Sequence, residues 1–165
     1  MDEQEVAATD KQVEALKIVN QHMAVAAGVG FIPIPIIDIV ALTGVQLNML
    51  HSVSKLYDVP FSANLVKSLV SSLVGGALPA KAAWGATGSL VKSIPIVGTY
   101  LGWATMPALS GAVTYAVGRV FVEHFESGGS FLTFRPSAAR EQMAEHMDTA
   151  SSDTAAADSA EPVAS

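Results

Sequence analysis

The feature that most constrains the fold of this 165-residue chain is a long stretch without any charged residue. It runs from Ser93 to Gly118, between Lys92 and Arg119. A helix of this length could cross the hydrocarbon core of a bilayer, which is roughly 30 Å thick. It could also be the buried central helix of an all-α bundle. Both interpretations predict a long apolar helix around which the rest of the chain is organised.

Glycines recur along this stretch in pairs whose spacing places each pair on one face of a helix. Gly98 and Gly102 form a GxxxG pair, and Gly111 and Gly118 add a pair two turns apart on nearly one face. Small residues at this spacing allow two helices to approach closely, and close packing drives helix association in lipid. The four glycines are therefore predicted to form a helix-packing and self-association face. Pro107 and the glycines would weaken such a helix in water, which favours the membrane interpretation.

Composition also favours the membrane interpretation, and it excludes several classes of function. Half of the residues are hydrophobic, only 15% are charged and the mean hydropathy is +0.41, against about 25% charged residues in ordinary soluble domains. The chain contains no cysteine, which excludes disulfides, thiolate metal sites and cysteine nucleophiles. The net charge of −6 and the lack of a basic stripe predict no nucleic-acid partner. The acidic N-terminus has no basic region leading into an apolar core, so a cleaved secretion signal is not expected.

Two apolar Ile-Pro segments are predicted to separate helices. Pro33 and Pro35 follow the first apolar run, and Pro95 precedes the last long one. Proline lacks the N–H that a helix interior needs, but it suits the first turn of a helix. The pattern predicts an all-α fold of about five helices in two hairpins with apolar tips, which would dip into or cross a membrane in the membrane interpretation. The predicted helices span residues 10–27, 35–57, 62–75, 79–92 and 99–126, and a short polar helix follows at 137–148.

The same pattern predicts the organisation of the whole chain. We expect a flexible lead at residues 1–9, a helical domain at 10–134, a short polar helix at 135–148 and a disordered acidic tail at 149–165. The tail is expected to be disordered because its Ala, Ser, Thr and Asp residues bury too little apolar surface.

Two polar residues stand out in the second predicted helix. Asp38 falls in its first turn, where a carboxylate meets free N–H groups and the positive end of the helix dipole. We therefore favour a capping role over a buried ionisable site for a proton or cation. Gln46 lies in a seam with Met49 and Val53, and we expect it to stabilise helix packing through a hydrogen bond.

No arrangement of catalytic or metal-binding residues is apparent. The four histidines lack an HxxxH or HExxH spacing, although His22 and His51 could face each other across the first hairpin. The segment before Lys92 resembles a phosphate-binding loop only loosely, because Val91 stands where the Walker pattern requires glycine. The sequence therefore predicts a non-enzyme without a cofactor or metal.

Three sequence blocks resemble a known family. They are AAGVGFIPIPIIDIVALTGVQLNMLHSVSKLYDV, IPIVGTYLGW and TYAVGRVFVEHFESGG, in this order. Over roughly residues 20–130 the chain resembles the GTPase-associated domain of unknown function of YcjF-type proteins, which is also found attached to Era-like GTPases and as a short stand-alone chain. The family-like positions are Pro33, Pro35, Asp38, Gln46, Tyr57, Pro95, Gly98, Gly118 and Phe125. The resemblance implies a helical, membrane-associated module and no catalytic role, and any GTPase would be a separate protein.

These observations lead to one main functional hypothesis and two alternatives. The main hypothesis is a non-enzymatic membrane-associated adaptor or scaffold that self-associates and works with a separate GTPase. Membrane lipid is then a partner, and the positive-inside tendency places the chain in the inner or cytoplasmic membrane with cytoplasmic termini. The alternatives are a soluble helical bundle that docks a partner protein and, more remotely, a small pore-forming protein.

Overall fold

The computed structural model describes residues 3–30, 35–85 and 95–158, with side chains for residues 5–30, 40–77 and 107–152. It contains five helices and, over those residues, no strand, which confirms the predicted all-α fold. The helices are α1 (Glu3–Val29), α2 (Pro35–Leu56), α3 (Ala63–Gly85), α4 (Pro95–Glu126) and α5 (Pro136–Asp158).

The fold is built around α4, which packs against all four other helices. Its glycines allow the closest approach. Val19 of α1 lies against Gly118 and Ala27 lies against Gly111, so α1 and α4 are antiparallel. Met49 of α2 also lies at Gly118, and the C-termini of α2 and α4 meet, so these two helices are parallel. The long uncharged stretch thus forms the centre of a bundle along its described part.

Aromatic side chains fill the core around the C-terminal end of α4. The rings of Phe121 and Phe134 stack with their centroids 4.2 Å apart, and Phe131 packs edge-on against Phe125 at 5.0 Å. Phe61, which precedes α3, packs edge-on against Phe131 at 5.9 Å. Ring pairs in offset or edge-on geometry add about 0.5–1.5 kcal/mol each beyond the burial of their surface. This cluster fixes the α4–α5 connection and the start of α3 to the same end of the bundle.

The helices α2 and α4 end in the same kind of cap, in which a residue with positive φ allows the chain to turn back. In α4 this residue is Gly128 (φ 81°), and the Gly129 N–H bonds to the His124 carbonyl at 2.9 Å. In α2 it is Asp58 (φ 56°), and the Val59 N–H bonds to the carbonyl of residue 54 at 2.8 Å. These bonds satisfy carbonyl groups that the last helical turn leaves unpaired. The predicted end of the last long helix at Gly128 and Gly129 is confirmed.

Several predicted helix boundaries are wrong. The first helix begins at Glu3 and not at Asp10, so most of the predicted lead is helical. The predicted break at Gly75 and Gly76 is absent, because α3 continues to Gly85. A glycine costs a helix only about 1 kcal/mol, and burial of Val70, Leu73 and Ala77 on both sides of the predicted break offsets that cost.

The C-terminal helix is also longer than predicted. It extends to Asp158, ten residues beyond the predicted end at residue 148. Alanine has the highest intrinsic helix propensity, and Ala150 is buried, so the start of the predicted disordered tail continues the helix. Residues 159–165 of that tail lie outside the described residues.

The predicted membrane span is not supported. Within the residues that the structure describes, none of the helices combines the length and the hydropathy that a membrane crossing requires.

Candidate functional site

Two open clefts flank the C-terminal part of α4, which carries the third family-like sequence block. The first, called here the α4–α5 cleft, has a volume of about 390 Å³. The second, the α1–α4 cleft, has a volume of about 370 Å³. The α4–α5 cleft is lined by Val120, Glu123, His124, Ser127, Thr133, Phe134, Arg135, Ala138, Ala139 and Gln142. The α1–α4 cleft is lined by Glu5, Ala8, Thr9, Lys11, Gln12, Tyr57, Phe125 and Glu126.

A polar cluster at the edge of the α4–α5 cleft connects the two helices. Glu123 Oε1 accepts a hydrogen bond from Arg119 Nη2 at 3.0 Å, and His146 Nε2 of α5 lies 3.0 Å from the same oxygen. Burial by itself favours the neutral form of Arg119, but hydrogen bonds and charge interactions with Glu123 and Tyr115 outweigh it and raise its pKa. Arg119 is therefore a permanent cation that orients the Glu123 carboxylate toward α5.

The connection between α4 and α5 forms a tightly hydrogen-bonded turn, called here the Leu132 turn (residues 130–134). The Ser130 carbonyl accepts hydrogen bonds from the N–H groups of Thr133 and Phe134, both at 3.1 Å. It also lies 2.9 Å from His124 Nε2. Because a carbonyl can only accept, His124 carries its proton on Nε2. The turn projects Leu132 into solvent, where 84% of its surface is exposed.

The α1–α4 cleft contains a second polar network, centred on Glu126. The Tyr57 hydroxyl donates to Glu126 Oε1 at 3.1 Å, and Gln12 Nε2 donates to Oε2 at 3.2 Å. Burial, the charge of Glu126 and the hydrogen bond to it together raise the pKa of Tyr57. At neutral pH Tyr57 is thus a hydrogen-bond donor. These contacts join α1, α2 and α4 at the end of the bundle that carries Lys11, Asp58 and Glu126, called here the charged end.

One carboxylate in each cleft holds helices together. Glu123 and Glu126 are each bound by two neighbouring side chains. Among the described residues, no group of three or more His, Asp and Glu side chains could hold a metal ion. His22 and His51 have separate surroundings: His22 Nδ1 lies 2.8 Å from the Ile18 carbonyl, and His51 packs on Phe61 with ring centroids 4.8 Å apart.

Comparison with known families identifies the domain. The family model of a domain of unknown function (DUF697) matches residues 3–152. This chain belongs to the DUF697 family. The family resemblance predicted from the three sequence blocks is therefore confirmed, and the match covers α1 to α4, most of α5 and both clefts.

The DUF697 chain is also similar to a curated protein. It is 37% identical over 130 residues to magnetosome membrane protein 22 of Magnetospirillum gryphiswaldense, and the alignment covers 79% of this chain and 67% of that protein. No solved structure matches the DUF697 chain.

The predicted glycine face has two described members, and both pack inside the DUF697 chain. A Cβ at Gly118 would lie 2.7 Å from both methyl groups of Val19, and a Cβ at Gly111 would lie 3.5 Å from that of Ala27. Because α1 covers this part of α4, Gly111 and Gly118 are not free to contact a second chain. The surroundings of Gly98 and Gly102 lie outside the described residues, so self-association there stays a prediction.

The other predicted positions are described to different extents. Pro35 and Pro95 are the first residues of α2 and α4, in agreement with the role of proline in a first helical turn. Asp38 lies in the first turn of α2, but its side chain is outside the described part, as is all of Pro33. Gln46 is buried in the predicted seam, and its hydrogen bond stays a prediction.

Sequence reasoning missed the two features that give the charged end its shape. The contact between Glu123 and His146 joins residues that are far apart in the chain, and no local spacing signals it. Leu132 lies between two buried phenylalanines in the segment SFLTFRP. The alternation of aromatic and exposed residues in this short segment is the signal that the sequence offers.

Proposed function

We propose that this DUF697 chain is a non-enzymatic, membrane-associated helical scaffold that contacts lipid with one end of its bundle. The observation that carries the proposal is the segregation of charge. Between Lys17 and Lys55, Asp38 is the sole charged residue, and Ser93 to Gly118 contains none. These segments form the C-terminal half of α1, most of α2 and most of α4.

These three segments, in which Asp38 is the one charged residue, come together at one end of the α1–α2–α4 part of the bundle, called here the uncharged end. The C-terminal end of α1 and the middle of α4 lie there, since Gly30 packs against Pro107. Val25 and Val40 are exposed at this end, by 55% and 69% of their surfaces, and Leu109 of α4 is exposed as well. Valine and leucine side chains gain about 1.5–3 kcal/mol each when removed fully from water. A lipid surface would provide that environment without a spanning helix.

The opposite end of the bundle has the character of a surface that faces water. Lys11 lies 3.9 Å from Asp58, and Glu126 and Arg135 line the two clefts. Charged side chains are costly to move into lipid. The asymmetry therefore favours one orientation, with the uncharged end toward the membrane and both clefts toward the aqueous phase.

The name of the related protein supports the same proposal. Magnetosome membrane protein 22 is 37% identical over 130 residues, an alignment that includes most of the domain. We extend its membrane association to this chain. The adaptor role rests on the resemblance to YcjF-type domains, which implies a separate GTPase as the partner, and on clefts that face away from the proposed membrane. Self-association belongs to the same proposal, as does placement in the inner or cytoplasmic membrane with cytoplasmic termini.

Vesicle flotation tests the lipid contact. The purified chain is mixed with liposomes, and the variants Val25→Lys and Val40→Lys are compared with Val13→Lys. Val13 is a matched control because it lies on α1, is 61% exposed and is located toward the charged end. We expect at least tenfold weaker flotation for the first two variants and unchanged flotation for the control, since lysine at the uncharged end would have to enter lipid.

Each other result of this experiment counts against the proposal. Equal flotation of all three variants would mean that a different surface contacts lipid. Failure of the parent chain to float would favour the alternative of a soluble bundle that docks a partner protein. Dye release from the same liposomes would favour the pore-forming alternative.

A further inference from the structure

The most exposed large apolar side chain in the described part of the molecule lies far from the uncharged end. It is Leu132, at the tip of the turn between α4 and α5, with 84% of its surface in solvent. Pro107, at the level of the uncharged end, and Glu126 are separated by 19 residues of α4, or about 28 Å of helix. Leu132 therefore projects away from the lipid surface proposed above, and contact with lipid does not explain its exposure.

The turn holds Leu132 in one position. Phe131 and Phe134 on either side are buried in the aromatic cluster. The Ser130 N–H donates to Thr133 Oγ1 at 2.9 Å, and His124 binds the Ser130 carbonyl. Gly129 lies against this histidine, and a Cβ at this position would overlap the His124 ring. An apolar side chain held out rigidly loses little conformational entropy on binding, which is the property of an interface anchor.

An empty depression lies next to this anchor. The α4–α5 cleft begins at Thr133 and Phe134, immediately after Leu132, and its volume of about 390 Å³ exceeds that of a leucine side chain. Its apolar lining includes Val120 and Ala139. The same small surface thus presents both a protruding leucine and a cleft that a leucine could enter.

The charges of this surface are also complementary to each other. Arg135 is exposed at the edge of the cleft, and no described ion pair involves it. Glu123 lies on the other side of the cleft, with 34% of its side chain exposed. An interface with two-fold symmetry requires one patch that complements itself, so that each residue meets its counterpart across the axis. This surface carries an anchor (Leu132), a cleft, a cation (Arg135) and a carboxylate (Glu123), so it meets that requirement.

We propose that the Leu132 turn and the α4–α5 cleft form a two-fold interface between two copies of this chain. Leu132 of each copy enters the cleft of the other, and Arg135 of each copy meets Glu123 of the other. The inference deepens the self-association in the proposed function and relocates it. The described glycines of α4 are covered by α1, whereas this surface is open. The uncharged ends of both copies stay free to contact lipid.

Cross-linking between two tagged populations tests the interface. The chain has no cysteine, so Leu132→Cys can be placed in a tagged copy and Gln142→Cys, in the cleft lining, in an untagged copy. A short bis-maleimide reagent is expected to join these two copies at least tenfold more efficiently than Leu132→Cys and Val13→Cys. Equal yields for the two pairs, or no product for either, would overturn the two-fold interface.

Sedimentation of the full chain provides the second measurement. Leu132→Asp and Arg135→Glu should each raise the dimer dissociation constant at least tenfold, whereas Val13→Asp should leave it unchanged. All three positions are exposed, so thermal melting should show intact folding. A parent chain that sediments as a monomer at every accessible concentration contradicts the proposal and leaves the turn to a different protein.

Vesicle flotation of Leu132→Asp separates the two proposals. Flotation should be unchanged, because Leu132 is remote from the uncharged end. If the parent chain floats but the Leu132→Cys and Gln142→Cys copies do not cross-link, the interface alone is refuted. Loss of flotation with retained cross-linking would refute the lipid contact alone.

Discussion

Replacement of Gly118 by alanine tests the closest approach between helices in this fold. A Cβ at Gly118 would lie 2.7 Å from Cγ1 and from Cγ2 of Val19, and 3.1 Å from Sδ of Met49. Val19 is fully buried and branched at Cβ, so it cannot rotate away without placing another substituent in the same space. We therefore expect Gly118→Ala to force α1 and α4 apart.

The expected magnitude follows from two opposing effects. Overpacking in a well-packed core costs about 1–3 kcal/mol, whereas alanine in place of glycine inside a helix contributes about 0.5–1 kcal/mol. The net result for Gly118→Ala is a loss of about 1 kcal/mol in the free energy of unfolding, within a range of about 0–2.5 kcal/mol. Gly44→Ala is the matched control, because Gly44 lies inside α2 and a Cβ there meets no atom within 4 Å. This control should be stabilised by about 0.5–1 kcal/mol.

Urea denaturation followed by circular dichroism measures both changes. The double variant Val19→Ala/Gly118→Ala should be more stable than the sum of its single variants predicts, by about 0.5–3 kcal/mol, since the smaller side chain removes the overlap. A stabilised Gly118→Ala variant, or strictly additive effects in the double variant, would refute the close packing of α1 on α4.

Three further predictions concern the charged end. Because burial and Glu126 raise the pKa of Tyr57 above its usual 10.0, the folded chain keeps this proton where the unfolded chain loses it. The stability that protonated Tyr57 contributes is fully present below about pH 10 and is lost as the pH rises through the pKa of the folded state. When the free energy of unfolding is measured at increasing alkaline pH, Tyr57→Phe should lose less stability than the parent chain. Asp58→Gly should stabilise the fold by roughly 0.5–1 kcal/mol, because Asp58 has a positive φ and its 3.9 Å ion pair is exposed. Thermal melting checks this result, and an unchanged or lower Tm would contradict it. Gly129→Ala should lower the Tm and displace the His124 ring, which its histidine NMR resonances would reveal; an unchanged spectrum would contradict the contact.

The overall fold class could be predicted from the sequence because its signals are local. Proline at the start of α2 and α4, glycine at the end of α4 and a seam of buried residues in α2 each act within a few residues. The boundaries that failed depended on distant contacts. From the sequence alone, Gly75 and Gly76 of α3 predict a helix end. In the structure α5 packs beside them, and its Arg140 lies over Gly76. Packing of this kind outweighs intrinsic propensity, and no local pattern reports it.

The candidate site was harder to predict for the same reason. The glycine spacing in α4 predicts a helix-packing face, but it does not reveal that α1 of the same chain lies against Gly111 and Gly118. The α4–α5 cleft depends on a carboxylate in α4 and a histidine in α5, 23 positions apart in sequence. Sequence periodicity identifies the face that a helix buries, and only the folded chain shows what covers that face.

The most direct test of the lipid contact is fluorescence quenching from within the membrane. A single cysteine can be introduced at Val40 or at Leu132, since the chain has none, and labelled with an environment-sensitive dye. In vesicles that contain lipids with a quencher on the acyl chain, we predict strong quenching at position 40 and none at position 132. Equal quenching at both positions, or quenching at position 132 alone, would contradict contact through the uncharged end.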